Sequence, residues 1–214
     1  MKYLLFIIIT VLSQMAFAQS RNKVAELAHT HGTDTVWKSI VWRIIVTREA
    51  SNAPLRYLAT PNAPQPQFAE ILLKNAADKN IRVYAPDDDS LSHPVDASYS
   101  LFNNFPQDAA SYLIKEVWWF DKDAGRMGVD ILTITPQAET AHYGAVRKLF
   151  TVDFQELRKY LAIPISGKEQ DKKQTFADFF DNRQFSSFII KKVDIEHPVD
   201  LNGGAAKEKP KKRR

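Results

Sequence analysis

The sequence predicts an α+β fold, with mixed helices and a small antiparallel sheet that includes a hairpin near residues 112–135. Three observations carry this expectation. Two runs rich in β-branched and aromatic residues, YLIKEVWWFD (112–121) and VDILTIT (129–135), flank a short polar connection containing Gly125, which is the pattern of a hairpin. Residues 67–80, QFAEILLKNAADKN, set Phe68, Ile71, Leu72 and Ala76 on one helical face with good helix formers between them. Strand and helix patterns interleave without βαβ repeats or glycine-rich turns between strand and helix.

The chain opens with Lys2, an apolar run from Tyr3 to Leu12, and Ala16-Phe17-Ala18 as a small-x-small cleavage pattern. Residues 1–18 therefore read as a cleaved signal peptide, and the mature chain is expected to start near Gln19, outside the cytoplasm. The apolar run is shorter than the roughly 20 residues a membrane-spanning helix needs. Residues 19–33 are polar and mixed, a flexible lead-in; one domain is expected over 34–200, and 201–214 form a disordered basic tail.

Within the domain, WKSIVWRIIVTR (37–48) fits both a helical stripe and a β alternation, and its density of Ile and Val favours an extended or mixed segment. Asn52-Ala53-Pro54 predicts a turn, and four prolines between 54 and 66 keep the next loop out of helix. Ile81 to Tyr84 reads as a short strand stopped by Pro86, and Pro136 is expected to end the hairpin. Phe150 to Val152 suggests another strand, followed by a helix over Asp153–Ala162 with Asp153 near its N-terminus. Thr175 is placed to cap a helix over Phe176, Phe179 and Phe180, with Asp178 at the capping-box position, and the run from Phe185 to Val193 completes the fold.

Charge is unevenly distributed along a chain of pI 9.1. Residues 207–214, KEKPKKRR, hold six Lys or Arg against Glu208, leaving the rest of the mature chain close to neutral. Such a tail suits an anionic membrane surface, or is simply solvated. Residues 86–108 are the opposite pole, with five aspartates and no Lys or Arg, but they lack the glycine and closing glutamate of an EF-hand loop. The chain contains no cysteine, which excludes disulfides, thiol nucleophiles and a lipid anchor at the cleavage site.

Catalytic patterns are sparse. His29 and His31 have an i, i+2 spacing with no evident third metal ligand. Ser90, His93 and Asp96 supply the residue types of a hydrolase triad without a glycine-framed nucleophile elbow. No P-loop or dinucleotide-binding glycine pattern occurs. Aromatic residues say more. Adjacent Trp118 and Trp119 on one strand must point to opposite faces of the sheet, so both faces need covering, by this chain's own helices or by another subunit.

Four segments occur in a specific order: WKSIVWRIIVTREASNAPLRY (37–57), YLIKEVWWFDKD (112–123), LFTVDFQELRKYLA (149–162) and TFADFFDNRQFSSFIIK (175–191). Together they resemble the GldN family of gliding-motility proteins, also known as PorN, periplasmic components of the type IX secretion system of Bacteroidetes. Arg43, Arg48, Glu49, Asn52, Pro54, Leu55 and Tyr57 fall on the family's arginine, arginine-glutamate and asparagine-x-proline-leucine pattern. Residues 115–122 match its lysine-glutamate-x-tryptophan-x-phenylalanine-aspartate-lysine stretch. The chain departs from the family at Val46, Asp130, Thr133 and Thr151.

The resemblance implies a non-enzymatic structural subunit without a cofactor, metal or nucleic-acid partner. It implies self-association within a ring, partnership with the outer-membrane lipoprotein GldK or PorK, and contact with the inner-membrane-anchored GldM or PorM. The implied location is the periplasm at the inner face of the outer membrane, with membrane attachment indirect through the lipoprotein. Partner-binding residues expected among the matched positions are Arg43, Arg48, Asn52, Pro54, Trp118, Arg183 and Phe185. The alternatives are a periplasmic hydrolase or metal-binding enzyme using the Ser90, His93 and Asp96 region, and a membrane-surface adaptor acting through the basic tail.

Overall fold

The computed structural model describes residues 35–57, 66–88, 90–96, 109–121, 123–139, 146–165 and 174–195. One antiparallel sheet organises them. Its strands are β1 (Thr35–Val46), β2 (Val83–Tyr84), β3 (Pro94–Val95), β4 (Ala109–Asp121), β5 (Arg126–Glu139), β6 (Val146–Lys148), β7 (Thr151–Asp153) and β8 (Phe188–Ile195). They lie in the order β3-β2-β7-β5-β4-β1-β8, with β6 also paired to β5. A 3-10 helix (Ala50–Leu55) and three short helices, α1 (Phe68–Ala77), α2 (Phe154–Arg158) and α3 (Phe176–Asp181), complete the described elements.

The fold is thus dominated by one eight-stranded antiparallel sheet, which corrects the expected α+β architecture with a small sheet. The hairpin is present, but β1 pairs along nearly its whole length with β4, and β8 then adds to β1. The ambiguous 37–48 run resolves as a strand because β4 offers it a continuous partner, from Trp37 opposite Phe120 to Val46 opposite Ser111. The helix expected over 153–162 stops after Arg158, and the turn expected at 52–54 is a 3-10 helix with Pro54 inside it.

Pro136 does not end the hairpin; β5 runs through it to Glu139. In an antiparallel strand a residue's N–H and C=O point the same way, and the Pro136 carbonyl accepts from the Leu149 N–H at 2.9 Å, away from β4. That side of β5 is where pairing passes from β7, at residues 133–134, to β6, at 137–139. The missing proline donor therefore costs the ladder with β4 nothing; the bond it cannot make is the reciprocal one to Leu149, at the end of β6.

The two faces of the sheet are covered differently. On one, Ile45, Tyr112, Ile114, Ile131 and Ile134 pack with helix residues including Phe68, Leu72, Phe176, Phe179 and Phe180 in the main core. Each buried phenylalanine contributes about 1.5–3 kcal/mol, and the rings of Phe68, Phe154, Phe176, Phe179 and Phe180 meet at centroid distances of 5.3–5.7 Å. The caps at the helix starts hold this layer in place. Asp153 accepts from the Gln155 and Glu156 N–H groups, and Thr175 and Asp178 form the capping box expected from the sequence. On the opposite face, Ile40, Val117 and Leu132 lie with Tyr84 and Leu91, against half-buried Trp42 and Trp119.

Candidate functional site

Four of the seven expected partner-binding residues gather around a carboxylate the sequence reading did not single out. Glu116 sits on β4 opposite Val41 of β1 and Ile131 of β5, and its side chain is fully buried. Burying a charge is costly unless it is paired and hydrogen-bonded. Arg183 Nη2 donates to Glu116 Oε1 at 2.7 Å, and Trp118 Nε1 donates to Oε2 at 2.7 Å. Both carboxylate oxygens are therefore engaged.

Arg43 extends the cluster from β1. Its guanidinium lies 5.8 Å from the Trp118 ring centroid, and its Nε donates to Ser187 Oγ at 2.9 Å. Burial lowers the Arg43 pKa, with Glu116 opposing that shift and Arg183 adding to it. Arg183 itself follows α3 in the left-handed region, with φ 51°. Glycine suits that backbone better, but only a long cationic side chain also reaches Glu116 and lies 5.1 Å over the Phe185 ring. Phe185 in turn packs on Phe179 and Phe180.

Asn52 fastens the same segment from the other side. Its side-chain amide is fully buried; Nδ2 donates to the Val46 and Ser186 carbonyls, and Oδ1 accepts from the Ser186 N–H, all at 2.9 Å. In effect the Asn52 amide pairs with Ser186 as a neighbouring peptide would. Pro54 lies half-buried in the 3-10 helix that presents Asn52. Arg48 stands apart: its side chain is 72% exposed and its Nη2 donates to Glu139 Oε2 at 2.9 Å.

Arg43, Trp118, Arg183 and Phe185 are thus brought together around Glu116, Asn52 and Pro54 anchor the adjoining end of β1, and Arg48 faces outward. These residues grip 182–187, the segment that leads into β8. Beyond it, β8 exposes Phe188, Ile189, Ile190 and Val193. Sequence reasoning missed Glu116, Ser187 and this edge. The available signal was Glu116 itself, an acidic residue inside a β run and two positions from Trp118 on the same face.

The residue types of the hydrolase alternative hold a turn instead. The Ser90 hydroxyl bonds Asp88 and Ser92, both at 2.7 Å, and the Ser92 and His93 N–H groups donate to the Asp88 carboxylate. Burial works to raise the Asp88 pKa, but these hydrogen bonds outweigh it and hold it below the usual carboxylate range. The His93 imidazole is 87% exposed, with Nδ1 4.0 Å from Asp88. A cleft of about 700 Å³ between α1 and the segment after α2 is lined by Glu70, Lys74, Lys159 and Tyr160, with Glu70 already accepting from the Gln67 N–H at the α1 cap. Among the described residues no three His, Asp or Glu side chains converge on a metal-sized site. His29, His31 and the basic tail lie outside the described residues, as do the leader and the lead-in.

The family model described as gliding motility associated protein GldN matches residues 30–209, a span that includes every described strand and helix. No curated protein matches the sequence.

Proposed function

The chain belongs to the GldN family, a component of the gliding-motility and type IX secretion machinery, and on that premise we propose that it is a non-enzymatic structural subunit of the periplasmic assembly. It builds a ring with copies of itself and the outer-membrane lipoprotein GldK or PorK, and contacts the inner-membrane-anchored GldM or PorM. The family match across the whole described fold carries this reading. Two features support it: a leader-like N-terminus, and an edge strand whose apolar side chains face solvent.

The seven matched residues divide by role in this reading. Arg48, outward and paired only across the surface, contacts the lipoprotein directly. Arg43, Asn52, Trp118, Arg183 and Phe185 act by positioning the 182–187 segment, and Pro54 by shaping the 3-10 helix beneath it.

The test is an affinity pull-down of the mature chain from its native envelope in gentle detergent, with partners identified by mass spectrometry. Recovery of a lipoprotein and an inner-membrane-anchored protein in a megadalton-scale particle is the expected result; a lone monomer overturns the reading. Charge reversal at Arg48 should abolish copurification with the lipoprotein while leaving the far-UV spectrum unchanged. Loss of folding in that variant would make Arg48 a structural residue.

A further inference from the structure

β8 joins the rest of the fold in two unlike parts. Trp42 lies opposite Lys191 and Arg43 opposite Ile189, so Ile190 is an extra residue that forms a bulge and interrupts the ladder with β1. On the near side of the bulge, Phe188 and Ile189 follow directly from the 182–187 segment. That segment is fastened through Arg183 to the buried Glu116, through Ser187 to Arg43 and through Ser186 to Asn52.

On the far side, residues 191–195 have no such anchor. Lys191, Lys192, Val193 and Asp194 are exposed, and only Ile195 packs at the margin of a core cluster. Beyond the backbone ladder, their attachment to β1 is a small set of surface contacts. Lys191 lies 4.5 Å over the Trp42 ring, Lys192 lies 5.0 Å over the Trp37 ring, and Asp194 accepts from the Ser39 hydroxyl. The Lys192 pair with Asp194 at 3.2 Å lies within the strand and adds nothing to that attachment.

The other side of β1 is held quite differently. There β4 pairs without interruption from Trp37 to Val46, and its Ile114 and Val117 are fully buried. A segment that buries little apolar surface opens at a lower free energy than the core it borders. Exposed cation contacts with aromatic rings do little to raise that free energy.

We propose that residues 191–195 open as a separate unit, hinged at Ile190, while the anchored segment and the rest of the sheet stay closed. Opening bares the outer edge of β1 at residues 38–42, so that among the described strands either β8 or β1 can stand at this edge of the sheet. With its near end tied down, the opened stretch stays beside β1 and recloses in register. Loosening that end gives the open state more freedom and lets opening spread through 184–195. The inference stands independently of the assembly reading and is tested on the isolated chain.

The test is native-state amide hydrogen exchange on the purified mature chain across low denaturant concentrations. Amides of 191–195 should exchange about tenfold or more faster than those of 112–117 and with little denaturant dependence, the mark of a local opening. Because the chain has no cysteine, Ser39→Cys with Asp194→Cys places a single bridge at a cross-strand pair already in contact. Oxidation should slow exchange of 191–195 about tenfold or more relative to the reduced form of the same variant, and leave 184–189 unchanged. Exchange of 191–195 with the denaturant dependence of 112–117 overturns the proposal. So does joint opening of 184–189 with 191–195 in the parent, which removes the hinge, and so do equal rates in the oxidised and reduced forms. The parent measurement decides alone where the cysteine variant does not fold.

Discussion

Trp118 and Trp119 are neighbours in sequence, occupy opposite faces of one sheet, and are held in opposite ways. Trp118 donates to Glu116, lies under Arg43 from β1, and shares its carboxylate with Arg183, 67 residues on from Glu116. Trp119 is held within its own hairpin: Nε1 donates to Asp130 at 2.8 Å, the Arg126 guanidinium lies 5.8 Å from its ring, and the ring rests on Gly128 of the facing strand. The hydrogen bond and cation contact of one indole belong to a network that joins distant segments; those of the other come from residues at most 11 positions away, although its ring also packs with Ile40, Tyr84 and Leu91. The difference separates positions that shape the approach to β8 from positions whose polar contacts stay within the hairpin.

The largest expected effect comes from breaking the distant network. Arg183→Ala leaves the buried Glu116 carboxylate without its hydrogen-bonded cation, at a cost of about 3–5 kcal/mol, measurable by denaturant unfolding. Glu116→Gln combined with Arg183→Ala should recover part of that loss, because the uncompensated charge is gone. A double variant no more stable than Arg183→Ala alone would remove the buried charge as the cause. Next comes Asn52→Ala, which strips three hydrogen bonds from a buried site and leaves the Ser186 N–H without its partner. It should cost about 2–3 kcal/mol, with the 182–187 segment becoming a preferred site of limited proteolysis.

On the local side, a Cβ at Gly128 would sit inside the Trp119 ring, so Gly128→Ala must displace the indole. The expected cost is about 1–3 kcal/mol, with a shifted Trp119 signal in the near-ultraviolet and an unchanged β8. The smallest effect on stability is at Arg48, whose exposed pair with Glu139 is worth about 0–1 kcal/mol. Its charge reversal should leave the thermal midpoint within a few degrees of the parent, about the shift such an energy produces in a chain of this size.

What the sequence disclosed was local. The hairpin, α1 and the α3 capping box each depend on residues close together in the chain, and each lies where the pattern put it. The width of the sheet was not legible, because residues 37–48 suit a helix or a strand until β4 is beside them. Pro136 misled for a related reason: its tolerance depends on a gap between β6 and β7 that exists only once both are paired to β5. The Glu116 cluster draws on residues 43, 116, 118, 183 and 187, and no local spacing connects them. The exposed side of β8 was hidden too, since an apolar run looks alike in the middle of a sheet and at its edge.

The most direct test of this division is amide hydrogen exchange on Arg183→Ala and Gly128→Ala, compared residue by residue with the parent. If the Glu116 network holds the approach to β8, Arg183→Ala should speed exchange across 184–195 by about tenfold or more relative to Gly128→Ala, while Gly128→Ala perturbs chiefly 118–130. Equal acceleration of 184–195 in both variants, or none in Arg183→Ala, would contradict the claim that this buried cluster positions the edge strand.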